Sequence, residues 1–233
     1  MCDMLSLADV MPEVSPLEHI DMAVAALSQH GGDARVSYVS YVARAHGALH
    51  FGRLCGATRR SKFVQNVRLC SGTPSAIGKK RPSVVSFTIP ACATHGKVSV
   101  KITNASHIEV HAHTDSAGIA DVNASIQRLL AHAGSKRLEV WSIALMQLYW
   151  FWGRRVELDS VYRELVACPD VRVVRDARRV RVTTPLVSAS VAECGTLSVV
   201  CRCAPSLRRV ARQLGEVLAR SETEKKLACT ERA

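Results

Sequence analysis

Apolar and polar positions alternate along two stretches of this chain in the same way, and in each the alternation gives way to a helical spacing at the same point. In the first, Val98, Val100 and Ile102 alternate with Ser99, Lys101 and Thr103. A turn follows at Asn104-Ala105-Ser106, and then Ile108 and Val110 alternate with His107, Glu109 and His111. In the second, Val187, Ala189 and Val191 alternate with Ser188, Ser190 and Ala192, and Gly195 turns the chain into Thr196–Val200. A period of two sends successive side chains to opposite faces of a strand. Apolar residues then recur at Ile119, Val122, Ile126, Leu129 and Leu130 and, at an offset of 88, at Leu207, Val210, Leu214, Val217 and Leu218. Each set falls on one face of an amphipathic helix. The segments 97–130 and 186–218 thus read as one strand–turn–strand–helix plan written twice.

The plan extends upstream. At an offset of 120, Val36, Tyr38, Tyr41, Val42 and Ala45 align with Val156, Leu158, Val161, Tyr162 and Leu165, and both sets predict a helix. The apolar segments 20–27 and 140–148 predict a strand before each. Phe63–Leu69 and Val84–Ile89 predict a hairpin with a long basic tip, and Val171–Thr183 a second hairpin turning at Asp176-Ala177. Asp115 and Ser116 read as a helix cap. Trp141–Trp152 falls short of the ~20 residues a membrane span needs. It reads as a buried strand running into a turn at Gly153, with Trp150-Phe151-Trp152 as either a core plug or an exposed patch. The organisation expected is an irregular lead (1–16), a first unit (17–135) with a basic insertion at about 47–95, a second unit (136–220), and a charged, fraying tail (221–233). The fold class is α+β.

Composition narrows the function. The chain has 233 residues, of which 48% are hydrophobic and only 5% aromatic, so aliphatic side chains must build the core. A formal charge of +11 favours acidic partners, nucleic acid first. Nine cysteines occur without a CxxC pair and without a secretory leader, which reads as reduced thiols in an intracellular protein. No nucleophile elbow, Walker loop, dinucleotide fingerprint or HExxH helix is present, and Asp21, Asp33 and Asp121 are scattered. The expectation is no enzyme and no cofactor. His107, His111 and His113, with Glu109 between them, share one strand face. Alternate strand residues lie about 6.6–6.8 Å apart, so they converge poorly on a zinc ion. A polar, pH-sensitive binding face is the better reading than a metal site.

Particular segments resemble one family. Phe63-Val64-Gln65-Asn66-Val67-Arg68-Leu69, the strand pair within 97–115, Ala144-Leu145-Met146-Gln147 through Arg154-Arg155-Val156-Glu157-Leu158, and Glu193–Val200 are similar to segments of the TATA-box-binding protein (TBP) family. The likeness is greatest to the divergent members of giant DNA viruses, and it spans about residues 18–220. It implies a saddle: a curved antiparallel sheet made of two pseudo-symmetric repeats, with long helices on the convex face and duplex DNA gripped in the minor groove beneath. It implies partners among general transcription factors or viral RNA polymerase components, no membrane, and a location in the host nucleus or a viral factory, with packaging in virions open. Strand parity then assigns the DNA-facing floor to Gln65, Ser99, Lys101, Thr103, His107, His111, Ser190, Ala192, Thr196, Ser198 and Val200. Phe63 stands where the family has an inserted wedge, whereas Thr103 and Ala192 replace two other wedge phenylalanines. With fewer wedges to offset unstacking, the alternative is a saddle-fold protein-interaction or structural module that has lost DNA bending.

Overall fold

The computed structural model describes residues 16–47, 49–71, 82–90, 97–112, 117–135, 137–138 and 140–230. Helix α1 (Pro16–Ser28) leads into β1 (Asp33–His46) and α2 (Phe51–Arg60). Four strands follow, β2 (Gln65–Ser71), β3 (Pro82–Pro90), β4 (Lys97–Thr103) and β5 (His107–Ala112), and then α3 (Ala117–His132). The short β6 (Arg137–Leu138) precedes β7 (Ser142–Phe151) and α4 (Leu158–Val166). Then come β8 (Arg172–Arg175), β9 (Arg179–Thr183), β10 (Val187–Ala192), β11 (Thr196–Cys201) and α5 (Ala204–Thr230).

These strands join one open antiparallel sheet in the order β2-β3-β4-β5-β1-β7-β11-β10-β9-β8, with β6 paired to the end of β1. Outward from β1 come β5, β4, β3 and β2; outward from β7 come β11, β10, β9 and β8. The same order of strands is therefore laid down on either side of the β1–β7 pair. The alternation seen in the sequence is what makes this work. Val98, Val100, Ile102, Ile108 and Val110 on one side, and Val187, Ala189, Val191, Leu197 and Val199 on the other, are all buried on a single sheet face. Val122, Ile126, Leu129 and Leu130 of α3 and Leu207, Val210, Leu214, Val217 and Leu218 of α5 are buried in the same core. Fully burying an aliphatic side chain of this size contributes about 1.5–3 kcal/mol.

Three upstream expectations are corrected. Residues 36–45 form strand β1, not a helix. Against β7 the register of β1 shifts between Val36 and Tyr38 and again between Ser40 and Tyr41. The extra residue at Ser37 separates the core-facing Val36 and Val39 by three positions instead of two, which imitates helical spacing. The segment 20–27 is helical within α1, where Ile20, Ala23 and Leu27 are buried and α1 packs on α5, β1 and β7. Helix α2 falls inside the supposed insertion and buries Leu54, Cys55 and Thr58, so it and not β1 is the counterpart of α4. At the other end, α5 continues to Thr230 through the segment expected to fray.

Other expectations hold. The apolar run ahead of Gly153 is the strand β7, and Trp150 is fully buried with its indole N–H donating to the Gly31 carbonyl at 2.7 Å. Gly195 turns β10 into β11 at φ +81, and a Cβ there would stand 1.9 Å from the Arg154 carbonyl oxygen. Only glycine fits. Cys55, Cys70, Cys168, Cys194, Cys201 and Cys203 are free thiols. Cys201 is buried in the core, which pushes its thiol up to about 12. The basic tip 72–81, His113 and the cap at 115–116 lie outside the described residues.

Candidate nucleic-acid interface

Residues directly opposite one another on neighbouring strands point to the same side of a sheet. Following those partners from strand to strand therefore maps the face turned away from the core. One row runs Gln65, Thr88, Ser99, His111, Ser40, Leu145, and the next runs Arg68, Ser86, Lys101, Glu109, Val42, Ser142. Across the other half, one row runs Val174, Arg181, Ser190, Ser198, Tyr149, Arg35, and its neighbour runs Arg172, Thr183, Ser188, Val200, Gln147, Tyr38. Thr103 and His107 lie beside the second row, His107 opposite Arg44, while Ala192 pairs with Arg179 and Thr196 with Phe151. Gln65, Ser99, Lys101, Thr103, His107, His111, Ser190, Ala192, Thr196, Ser198 and Val200 thus share one continuous face, as strand parity predicts.

Phe63 does not join them. It sits in the turn ahead of β2, half-buried against the core, and lines a cavity with Arg53, Ala57 and Arg60 of α2 and Arg128, Leu129 and His132 of α3. The physical reason is local. Phe63 falls in the turn at 62–63, and β2 begins only at Gln65, so the alternation that places Gln65 on the open side does not extend back to Phe63. Among the described residues, the open face carries Tyr38, Tyr149 and Phe151 near its middle.

The face is polar and mostly cationic. Arg35, Arg44, Arg68, Lys101, Arg172, Arg179 and Arg181 are set against Glu109 and Asp33. Lys101 donates to Glu109 Oε2 at 3.0 Å, and His111 Nε2 lies 3.8 Å from the same oxygen. The carboxylate that would repel a phosphate is therefore held by a lysine, at the expense of that lysine's own reach. Arg44 donates to His107 Nε2 from Nε at 3.3 Å and from Nη2 at 2.9 Å. Arg35 lies over the Phe151 ring, 4.6 Å from its centroid, a cation–π contact that leaves the guanidinium edge free for another acceptor. Gln147 donates to the Ser198 hydroxyl at 3.4 Å.

Tyr38 and His111 stack at 5.6 Å and hydrogen-bond through the phenol and Nδ1. Burial lowers the His111 pKa from its ordinary value, Glu109 opposes the shift, and Lys101 adds to it; burial, with Glu109, raises that of Tyr38. Because the folded value of His111 lies below 6.5, its neutral form stabilises the fold fully above that pH. The contribution is lost as pH falls from 6.5 through the folded value, since the unfolded chain takes up the proton first. Urea unfolding at pH ~7.5 and ~5.5, above and below the ordinary value, should show the native protein losing more stability on acidification than a His111→Gln variant. Equal losses would rule out this linkage.

His107 and His111 engage different partners, and among the described residues no three His, Cys, Asp or Glu side chains gather as metal ligands. Sequence reading misses Arg35, Arg44, Tyr38, Gln147 and Tyr149. Arg35, Tyr38 and Arg44 lie on β1, where a helix over 36–45 leaves no faces to assign, and Gln147 and Tyr149 lie on β7, where a wholly buried strand has no open face.

No protein family matches the chain, and no curated protein does. Among solved structures it is similar to Methanococcus jannaschii TBP, with a TM-score of 0.55 and 10% identity over 81% of this chain and 99% of that one. The chain has a TBP-like fold. A Clostridium acetobutylicum aspartate kinase matches over 34% of its own length at a TM-score of 0.25, which carries no argument. No helix among the described residues is long and apolar enough to cross a membrane.

Proposed function

We propose that the protein is a TBP-like transcription initiation factor that binds the minor groove of duplex DNA with its open sheet face and recruits other factors through its helix-covered side. The observation that carries this reading is the open face itself: serine and threonine hydroxyls line the strands on either side of the β1–β7 pair, and arginines stand along it from β2 to β8. Hydroxyls and amides can donate to the acceptors of A·T pairs in the minor groove, and arginines can hold phosphates. The mirrored strand order supports two repeats, 17–135 and 136–220, curving into a saddle about the β1–β7 pair. The likeness of Phe63–Leu69 and of 97–115 to giant-virus proteins supports a large DNA virus as the source, with action in the host nucleus or a viral factory.

One observation favours a second reading. With Phe63 packed against α2 and α3, no phenylalanine stands at the outer strands of the open face, among the described residues, to wedge between bases. The fold could then serve as a protein-interaction module that no longer bends DNA. A titration of labelled A·T-rich and G·C-rich duplexes across a salt series separates the two. Binding by the open face should favour A·T and weaken with a log–log salt slope of about −5, if about six cations meet phosphates. End-to-end energy transfer should show little bending. A salt-insensitive or absent interaction with both duplexes would remove DNA binding and leave the interaction module.

A further inference from the structure

The cavity that holds Phe63 has no part in the open face. It lies between α2 and α3, has a volume of about 450 Å³, and is lined by Arg53, Ala57, Arg60, Ser61, Lys62, Phe63, Arg128, Leu129 and His132. That size suits a small organic molecule. Four permanent cations, from both helices and the turn after α2, converge on it. Among the described residues no carboxylate lines it, and none of the four is in an ion pair. Four guanidinium and ammonium groups around one cavity make a positive site that a multiply charged anion would complement. The rest of the lining is of another kind. Phe63 presents a flat ring, and Ala57 and the buried Leu129 give an apolar wall beside it. The Ser61 hydroxyl is buried without a hydrogen-bond partner.

We propose that this cavity binds a nucleotide, a nucleoside di- or triphosphate, with its phosphates among Arg53, Arg60, Lys62 and Arg128 and its base against Phe63. Guanidinium groups match phosphate oxygens in pairs, and an aromatic ring stacks on any base. An acidic peptide would satisfy the cations but would leave the ring and its apolar wall without a matching flat group. Inorganic polyphosphate would do the same.

Calorimetric titration of the full chain with ATP and with inorganic triphosphate tests the proposal. ATP should bind about tenfold more tightly than triphosphate, and Arg53→Glu and Arg128→Glu should each weaken ATP at least about tenfold, the scale of one lost charged hydrogen bond. Both arginines are exposed, so urea melts of these variants should match the native protein. Phe63→Leu keeps the apolar packing and removes the flat ring, and should abolish the preference for ATP over triphosphate. Arg181→Glu, on the open face, should leave ATP binding unchanged. Equal affinity for the two anions, an Arg128→Glu variant that binds as before, or a loss with Arg181→Glu equal to that with Arg128→Glu would each overturn the assignment.

Discussion

Replacing Arg179 and Arg181 together by glutamate should lower duplex affinity about a hundredfold at ~0.1 M salt, the largest effect expected of any exposed change in this chain. The two sit on β9, and their Cα partners Ala192 and Ser190 place them on the open face. Both are exposed. Arg181 has Asp176 at 3.6 Å, a loose ion pair across the turn that a phosphate can displace. The turn itself does not depend on either side chain. It is held by the Arg178 and Arg179 backbone N–H groups donating to Asp176 Oδ1 at 2.9 Å, the bonds that, Arg178 first, keep the Asp176 carboxyl below its ordinary value. Hydrogen bonds to charged groups contribute about 1.5–3 kcal/mol each, so losing two costs at least about 3 kcal/mol, or two decades. The salt slope should also become shallower by about two. Arg208→Glu with Arg212→Glu, exposed on α5, is the matched control and should change neither quantity. Unaltered affinity in the β9 pair, with the salt dependence intact, would show that the duplex binds elsewhere.

How much of this is legible in the sequence depends on where each strand lies in the sheet. β4, β5, β10 and β11 are covered by helices on one side only, so their inward and outward residues differ in kind. Strict alternation therefore assigns Ser99, Lys101, His107, His111, Ser190 and Ser198 to one surface without coordinates. β1 is different. It lies at the centre, paired with both β5 and β7, and two register irregularities displace its pattern. Its valines and tyrosines, good strand formers, are the signal that points the other way. In α1 the buried positions include Ala23 and Ala26, whose small side chains weaken the periodic contrast. Helix α2 carries Gly52 and Gly56, which lower helix propensity, and its buried set of Leu54, Cys55 and Thr58 has one strongly apolar member. Phe63 illustrates a different failure. Aromatic identity and nearness to a strand suggest a wedge, but its direction is decided by the turn at Lys62 and Phe63, which leaves no trace in an alternation pattern. The cationic cavity is hidden for the same reason, since α2 goes unseen and Arg128 lies 75 residues from Arg53.

Trp150→Ala should be the most destabilising single change, costing about 4 kcal/mol, within the range of buried Trp→Ala substitutions. Trp150 is fully buried on β7, between Ala34 of β1 and Leu197 of β11, and meets Trp152 edge-on at 5.6 Å. The small Ala34 leaves room for the indole and cannot fill the space it would vacate. The indole N–H also accounts for the Gly31 carbonyl, fastening the turn between α1 and β1 to the centre of the sheet. Truncation thus opens a cavity and removes the Gly31 carbonyl's donor at once. The two contributions separate experimentally. Trp150→Phe keeps most of the packing and loses the donor, and should cost about 1–3 kcal/mol, leaving the remainder to the cavity. For a chain of this size the alanine variant should melt about 8–16 °C lower. Urea unfolding of both variants is the measurement that decides. A Trp150→Ala protein within about 1 kcal/mol of native, far below the usual cost of such a truncation, would mean that the β1–β7 pair, the axis about which the two halves of the sheet are arranged, is not where the fold is anchored.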